Sequence, residues 1–125
     1  MISVIVPAKD AAETLEDCLS SLQSQQDVGQ DYEIILVDDG SNDRTAEIAQ
    51  CFGVPVIRPE YQGRSVARNV GAKAARGDIL AFTDADCAPA ADWLHHLVEP
   101  FKVRQGVGTK GVYRSRQTGL VPRFV

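Results

Sequence analysis

Asp84 and Asp86 are the two residues whose types and spacing most directly suggest chemistry. They are carboxylates two positions apart, directly after the apolar run Ile79–Thr83, so both can face one cation where a strand opens into a turn. Carboxylate oxygens suit Mg²⁺ or Mn²⁺, which proteins commonly hold together with substrate phosphates. A metal held here would stabilise a diphosphate leaving group. An Asp-x-Asp triplet is also typical of a solvated turn with helix-capping aspartates.

Asp38 and Asp39 form a second acidic pair, after the apolar run Tyr32–Val37. One carboxylate can accept hydrogen bonds from a nucleobase edge or from ribose hydroxyls, and Gly40 lets the backbone pass close to a ligand. The alternative is a polar turn in which Ser41 or Asn42 only caps the next helix.

Arg64 and Arg68 stand four positions apart, so they share one face of the helix predicted over Arg64–Ala75. Together with the helix N-terminus they could attract an anion near the acidic residues. A structural network of ion pairs with nearby aspartates is the alternative interpretation.

His95 and His96 are the two histidines of the chain. Neighbouring helical residues point in different directions, which favours a surface histidine beside a partly packed one over a metal site. With these two histidines no Ser/His/Asp or Cys/His triad can be argued. The sequence also has no Walker-type loop and no Gly-x-Gly-x-x-Gly after the first strand, which disfavours P-loop and classical dinucleotide sites.

Alternating strands and helices must position these residues. Apolar runs predict strands over Ile2–Pro7, Tyr32–Val37, Val54–Ile57, Ile79–Thr83 and Gly106–Tyr113; helices are predicted after Asp10 and over Thr45–Phe52, Arg64–Ala75 and Ala91–Lys102. Asp10 and Glu13 have the spacing of a capping box for the first helix. Apolar strands separated by helices predict an α/β fold, a Rossmann-like, mostly parallel sheet covered on both faces. Ligands of such sheets bind outside the carboxyl ends of the strands, where the aspartates lie.

Length and composition are those of one soluble globular domain. The chain has 125 residues, 44% of them hydrophobic and 24% charged, and no apolar run approaches the roughly 20 residues of a membrane helix. The three cysteines are scattered, which favours reduced thiols. No signal-peptide pattern is present at the N-terminus. The expected location is cytoplasmic.

Charge is divided unevenly along the chain. The first 100 residues hold all 17 acids and seven bases, a net charge of −10, whereas the last 25 hold six bases and no acid. The acidic body argues against nucleic acid as a partner. The basic end could contact phosphates or an anionic membrane surface, or it could be a solvated face.

Four segments in order resemble the nucleotide-binding part of family-two glycosyltransferases of the GT-A fold. They are Ser3–Asp10, Val37–Thr45, Gly63–Gly71 and Phe82–Asp86. Each segment alone is a weak signal, but the ordered set with this spacing is highly specific. The resemblance covers residues 2–113 and implies transfer of a sugar from a nucleotide-sugar to an acceptor hydroxyl, with inversion of the anomeric centre.

The resemblance also implies roles for individual residues. Pro7, Ala8 and Asp10 would line the nucleotide pocket. Asp39 would read the base, typically uracil, with support from Asp38. Arg64 and Arg68 would face the diphosphate. Asp84 would lie near the ribose and diphosphate and share a Mn²⁺ or Mg²⁺ ion with Asp86, the main metal ligand; the donor would be a UDP-sugar.

Members of that family carry an acceptor-binding half after the Asp-x-Asp region, with an acidic residue that deprotonates the acceptor. No acid follows Glu99, so the resemblance implies that residues 1–125 are one truncated donor-binding domain. The catalytic base would lie beyond Val125, and the acceptor is unknown. An uncovered sheet edge or face would favour self-association. Membrane association of the full-length protein is compatible with the basic end.

Three other functions compete with this interpretation. A sugar-phosphate nucleotidyltransferase would show a Gly-rich loop after the first strand, where this chain has Ala8–Ala12 without glycine. A phospho-acceptor regulatory domain would place its acidic pair after the first strand rather than the second. A non-catalytic nucleotide-binding or assembly fragment remains open.

Overall fold

The computed structural model describes residues 1–103 and 112–114, in which strands and helices alternate. The strands are β1 (Ile2–Ala8), β2 (Tyr32–Asp38), β3 (Val56–Ile57), β4 (Ile79–Phe82) and β5 (Val112–Arg114); the helices are α1 (Leu15–Gln23), α2 (Thr45–Cys51), α3 (Arg64–Ala74) and α4 (Trp93–Val103). The predicted elements are confirmed with ends displaced by one or two residues, except that the first helix begins at Leu15 rather than directly after Asp10. Of the strand predicted over Gly106–Tyr113, residues 106–111 lie outside the described part.

The sheet has the strand order β3-β2-β1-β4-β5. Strand β1 pairs in parallel with β2 and β4, strand β2 pairs in parallel with β3, and β5 runs antiparallel to β4. Because β1, β2 and β4 are parallel neighbours, their carboxyl ends meet at one edge, as the sequence predicted. Strands β3 and β5 are the outer strands, and self-association through them stays a prediction.

Strand β1 divides its side chains between two apolar layers, since successive residues of a strand face opposite sides. Ile2, Val4 and Val6 lie in the larger cluster, together with buried residues of α1, α2 and α4. Ile5 lies in the smaller cluster with Ala67 of α3. The sheet is therefore covered by three helices on one face and by α3 on the other. No helix among residues 1–103 is long and apolar enough to cross a membrane.

The predicted capping box of the first helix is wrong. Helix α1 begins at Leu15, and its N-cap residue, Thr14, makes no capping side-chain hydrogen bond. Asp10 instead adopts a left-handed backbone conformation (φ 50°), and its Oδ1 accepts a hydrogen bond from the Asn42 backbone amide at 2.7 Å. The carboxylate thus connects two loops rather than starting a helix.

The start of α2 also differs from the prediction of a Ser41 or Asn42 cap. The carboxylate of Asp43 accepts the Thr45 backbone amide at 3.0 Å and the Thr45 hydroxyl. The hydrogen bond from that hydroxyl is the main cause that lowers the pKa of Asp43 below its usual value. Asp43 thus stabilises the start of α2 through Oδ1, and its Oδ2 accepts the backbone amide of Ala12 in the neighbouring loop at 3.1 Å.

A chain of hydrogen bonds that runs from buried Ser3 to exposed Arg76 fixes the opposite edge of the sheet. The Gly77 backbone amide donates to Ser3 Oγ at 2.8 Å, and Ser3 Oγ donates to Glu33 Oε2 at 2.5 Å. Glu33 also accepts from the backbone amide of Arg76 at 2.7 Å and pairs with its guanidinium at 3.2 Å. Partial burial opposes ionisation of Glu33, but these hydrogen bonds and the positive charge of Arg76 outweigh it and lower the pKa of the carboxyl.

We expect Glu33→Gln to lower the free energy of unfolding by about 1–2 kcal/mol at neutral pH, because charge-assisted hydrogen bonds are lost. Since the pKa of Glu33 is lowered in the folded state, its contribution is complete above the unfolded pKa of about 4.3 and is lost as the pH falls through the folded value. Urea unfolding between about pH 7 and about pH 3 should show the two proteins converging in stability toward acid.

Glu47→Gln is the matched control, because Glu47 forms an exposed pair with Arg44. Exposed pairs contribute little, so we expect a change within about 0.5 kcal/mol. A difference between wild type and Glu33→Gln that persists unchanged at low pH would contradict the assignment.

Candidate functional site

A cavity of about 570 Å³ opens at the carboxyl edge of the sheet. Its wall includes residues from four chain segments: Pro7, Ala8 and Asp10 at the end of β1, Asp39 after β2, Arg64 and Arg68 of α3, and Asp84 and Asp86 after β4. These are the site residues predicted from the sequence, with the exception of Asp38. One open cavity therefore collects carboxylates and guanidinium groups from segments up to about 80 positions apart in the chain.

Asp38 lies beneath the cavity rather than on its wall. Its side chain is 1% exposed. Oδ1 accepts the Ser41 backbone amide at 3.0 Å. Oδ2 lies 3.2 Å from Arg58 Nε, close enough for an ion pair but without hydrogen-bond geometry. Asp38 therefore holds the turn that carries Asp39 and does not present its carboxylate to the cavity.

Asp39 is fixed between the end of β1 and the start of α3. Its backbone amide donates to the Ala8 carbonyl at 2.8 Å. Its Oδ1 accepts the Gly63 backbone amide at 2.8 Å. Within the part of the chain that the structure describes, no hydrogen bond is made to Oδ2. The carboxylate is thus held in place by one oxygen and has the other available for a ligand.

The loop after β1 is joined to the loop after β2 by further hydrogen bonds from backbone amides. The Asp10 amide donates to Ser41 Oγ at 2.8 Å, and the Ala11 amide donates to Thr45 Oγ1 at 2.9 Å. Ser41, which follows β2, and Thr45, the first residue of α2, thereby brace the cavity wall formed by the β1 loop. The Ser41 hydroxyl is thus engaged by the β1 loop and does not cap α2.

Helix α1 supports the Asp84–Asp86 turn from below. Ala85 is 5% exposed, whereas the aspartates on either side of it are exposed. Thr14 Oγ1 donates to the Ala85 carbonyl at 2.9 Å, and Cys18 Sγ donates to the Asp84 carbonyl at 3.7 Å. Because Ala85 is anchored inward, the two carboxylates are directed outward at the cavity.

The turn offers hard oxygen ligands. One carboxylate oxygen each of Asp84 and Asp86 and the Sγ of Cys87 lie within 4.8 Å of one another. Burial, a hydrogen bond to Asp86 and the charges of both aspartates raise the pKa of Cys87. Burial, with the nearby Cys87, Asp86 and Asp84, raises the pKa of Cys18 to about 12. Both thiols are therefore neutral, and the carboxylate pair fits Mg²⁺ or Mn²⁺.

Several residues of the cavity wall were not among the predicted site residues. Lys9, Glu13, Thr14 and Asp43 also line the cavity. Lys9 could have been found, because it lies in the segment that follows β1 at the carboxyl edge. Thr14 could not, because its contribution depends on how α1 packs against a turn about 70 residues further along the chain.

The sequence matches the family model described as "Glycosyl transferase family 2" over residues 3–123, nearly its whole length. The chain belongs to glycosyl transferase family 2. Among curated proteins, this family 2 chain is 41% identical over 103 residues to glycosyltransferase AglE of Haloferax volcanii, an alignment that covers 78% of the chain and 34% of AglE. It thus spans about a third of that relative's length.

Two solved structures resemble the chain in fold. The mannosyltransferase PcManGT of Pyrobaculum calidifontis, in complex with GDP-Man and Mn²⁺, superposes with a TM-score of 0.77 at 27% identity, covering 86% of this chain and 33% of that one. The glucosyl-3-phosphoglycerate synthase of Mycobacterium tuberculosis, with Mn²⁺, UDP and glucosyl-3-phosphoglycerate, gives a TM-score of 0.75 at 30% identity, with coverages of 86% and 41%. The predicted family and the GT-A fold are both confirmed.

Proposed function

We propose that this chain is the donor-binding part of a glycosyltransferase that takes the sugar of a UDP-sugar and transfers it to an acceptor hydroxyl. The observation that carries the proposal is the single cavity that Asp39, Arg64, Arg68, Asp84 and Asp86 share. Matched relatives are about three times as long as the aligned region, which supports assigning acceptor recognition and the catalytic base to a further part of the enzyme.

Each group on the wall has a task in donor binding. The Asp39 carboxylate has one oxygen to accept the N3–H of uracil, while Gly63 holds the other. Arg64 and Arg68, on the first two turns of α3, balance the charge of the diphosphate, and the N-terminus of that helix adds partial positive charge. Pro7, Ala8 and Asp10 form the side of the pocket at the end of β1.

Asp86 and Asp84 would hold a Mn²⁺ or Mg²⁺ ion. When bound, such an ion neutralises the negative charge that develops on a departing diphosphate. The acceptor hydroxyl gives its proton to the catalytic base in the further part of the enzyme. Its oxygen forms a bond to the anomeric carbon on the face opposite the nucleoside diphosphate, whose bond to that carbon breaks, so the configuration inverts. The chain's own contribution is to fix the donor and to stabilise the leaving group electrostatically.

Titration calorimetry with UDP, with and without Mn²⁺, tests this proposal on the 125-residue chain. We expect saturable UDP binding that is stronger with Mn²⁺ and weaker for GDP. Absence of UDP binding under both conditions would overturn the donor-site assignment. Binding of GDP in preference to UDP would overturn the assignment of Asp39 to uracil.

Thr14 provides a prediction about how the metal-binding turn is held. Thr14→Val keeps the shape of the side chain but removes the donor to the Ala85 carbonyl. We expect the Kd for UDP in Mn²⁺ to rise about tenfold, as for other outer-shell partners of metal ligands. Calorimetry should find UDP affinity without metal unchanged, and Thr14→Ser should restore the wild-type value. An equal loss with and without Mn²⁺ would indicate that Thr14 contacts the nucleotide instead.

A further inference from the structure

A second group of metal-binding side chains lies on α4, away from the donor cavity. One ring nitrogen each of His95 and His96 and one carboxylate oxygen of Glu99 lie within 4.8 Å of one another. None of the three residues lines the donor cavity. The sequence indicated that adjacent histidines diverge on a helix, yet here the ring centroids are 5.1 Å apart. The side-chain torsions therefore bring together donors that the backbone alone would separate.

One nitrogen of each ring has a hydrogen-bond partner, which determines the nitrogen that is available to a metal. His95 Nδ1 lies 2.9 Å from the Asp27 backbone carbonyl, which can only accept, so Nδ1 carries the hydrogen and Nε2 is left as a donor to a metal. His96 Nε2 lies 3.0 Å from the Asp92 carboxylate. A carbonyl or carboxylate behind the ring is the usual outer partner of a metal-binding histidine, since it fixes both tautomer and ring orientation.

The third donor faces the available nitrogen of His96. Its Nδ1 lies 3.9 Å from Glu99 Oε2. Because His96 Nε2 donates its hydrogen bond to Asp92, Nδ1 carries a lone pair, which faces the Glu99 carboxylate at this distance. A cation between the two groups would stabilise this arrangement. His96 and Glu99 are 63% and 59% exposed, so their side chains can adjust without disturbing the core.

We propose that His95, His96 and Glu99 bind a Zn²⁺ ion, with water as the fourth ligand. Two imidazoles and one carboxylate with an open position are a donor set that suits zinc. Zinc ligands lie about 2.0–2.2 Å from the ion, so ligand atoms must close to about 3.3–3.6 Å, which small torsions of exposed side chains provide. The donor set of two nitrogens and one oxygen differs from the two carboxylates of Asp84 and Asp86, which suit harder ions. The proposed zinc site does not depend on the proposed function.

Zinc titration of the Asp86→Ala chain tests the proposal, because that background removes one of the three donors of the other group, Asp84, Asp86 and Cys87. At about pH 7.5, where free imidazole is mostly neutral, we expect one equivalent of Zn²⁺ to bind. His95→Ala and His96→Ala, each added to this background, should weaken binding by about tenfold or more, and Glu99→Gln should weaken it several-fold. Glu16→Gln, an exposed Glu on α1, is the matched control and should not change the affinity.

A second measurement uses the unsubstituted chain, so that it does not depend on the folding of any variant. The ring resonances of both histidines should shift on addition of Zn²⁺ and remain in place on addition of Mg²⁺. Zinc binding that both histidine substitutions leave unchanged, or histidine resonances that do not respond to Zn²⁺, would overturn the proposal.

Discussion

Asp86→Ala is expected to raise the Kd of UDP in the presence of Mn²⁺ by about 100-fold or more, which corresponds to about 2.7 kcal/mol. Asp84 and Asp86 are exposed residues of the metal-binding turn, and one carboxylate oxygen of each lies within 4.8 Å of the other. Mn²⁺ in such sites is usually held by one or two carboxylates plus substrate phosphates. Asp86→Ala removes one of the two carboxylates that the turn provides, so the ion that links the protein to the UDP phosphates is held more weakly. Calorimetric titration of UDP into the wild-type and variant chains, at fixed Mn²⁺, measures the change.

The controls separate loss of the metal from loss of charge. UDP affinity without Mn²⁺ should be the same for both chains, because Asp86 is assigned to the ion and not to the nucleotide. Asp17→Ala removes an exposed carboxylate from α1 and should leave the Mn²⁺-dependent affinity unchanged. If Asp86→Ala weakens UDP binding equally with and without Mn²⁺, Asp86 contacts the donor directly and the metal assignment fails.

The placement of the site could be predicted from the sequence because it depends on topology. Apolar runs such as Ile2–Pro7 and Tyr32–Val37 can be buried on both faces only as parallel strands between helices. Parallel strands bring their carboxyl ends to one edge, so Asp39 and Asp84 had to lie near each other. The number of residues between Asp39 and Asp84 did not matter, since the apolar runs and the parallel direction of the strands determine where both residues lie.

The direction of individual side chains in the turns could not be predicted in this way. Asp38 and Asp39 are adjacent and chemically identical, yet one is buried beside Arg58 and the other lines the cavity. Asp10 connects two loops instead of capping the first helix, and Asp43, for which no role was predicted, accepts hydrogen bonds at the start of α2. Loops after neighbouring strands share hydrogen bonds that depend on three-dimensional proximity. The sequence pattern gives the segment in which a polar residue lies, but its partners come from the packed loops.

The close packing of α3 against the sheet likewise could not be predicted from a single sequence. Gly71 lies in the middle of α3, where glycine is unfavourable by about 1 kcal/mol relative to alanine. A Cβ at this position would lie 2.5 Å from Ile5 Cγ2 and 3.1 Å from Val37 Cγ2. Both contacting residues are fully buried, so neither can move aside into solvent. The missing side chain is what lets α3 approach the sheet.

Gly71→Ala is therefore expected to destabilise the fold by about 1–3 kcal/mol, the usual cost of overpacking, despite the better helix propensity of alanine. Gly71→Val should cost more than Gly71→Ala. Urea unfolding followed by circular dichroism measures the change. Because α3 carries Arg64 and Arg68, displacement of the helix should also weaken UDP binding under conditions in which the variant remains folded.

A double-mutant cycle identifies the clash as the cause. Ile5→Ala removes Cγ2, the nearest clashing atom, so the cost of Gly71→Ala should fall in that background, where only the 3.1 Å contact with Val37 Cγ2 opposes the gain in helix propensity. Ile5→Val retains both γ-carbons, so the cost of Gly71→Ala should persist in that background. If the two backgrounds give the same cost, the contact with Ile5 is not responsible, and the distance between α3 and the sheet is set elsewhere. If they differ as expected, the γ-carbons of Ile5 limit how closely the helix that bears both arginines can lie against β1.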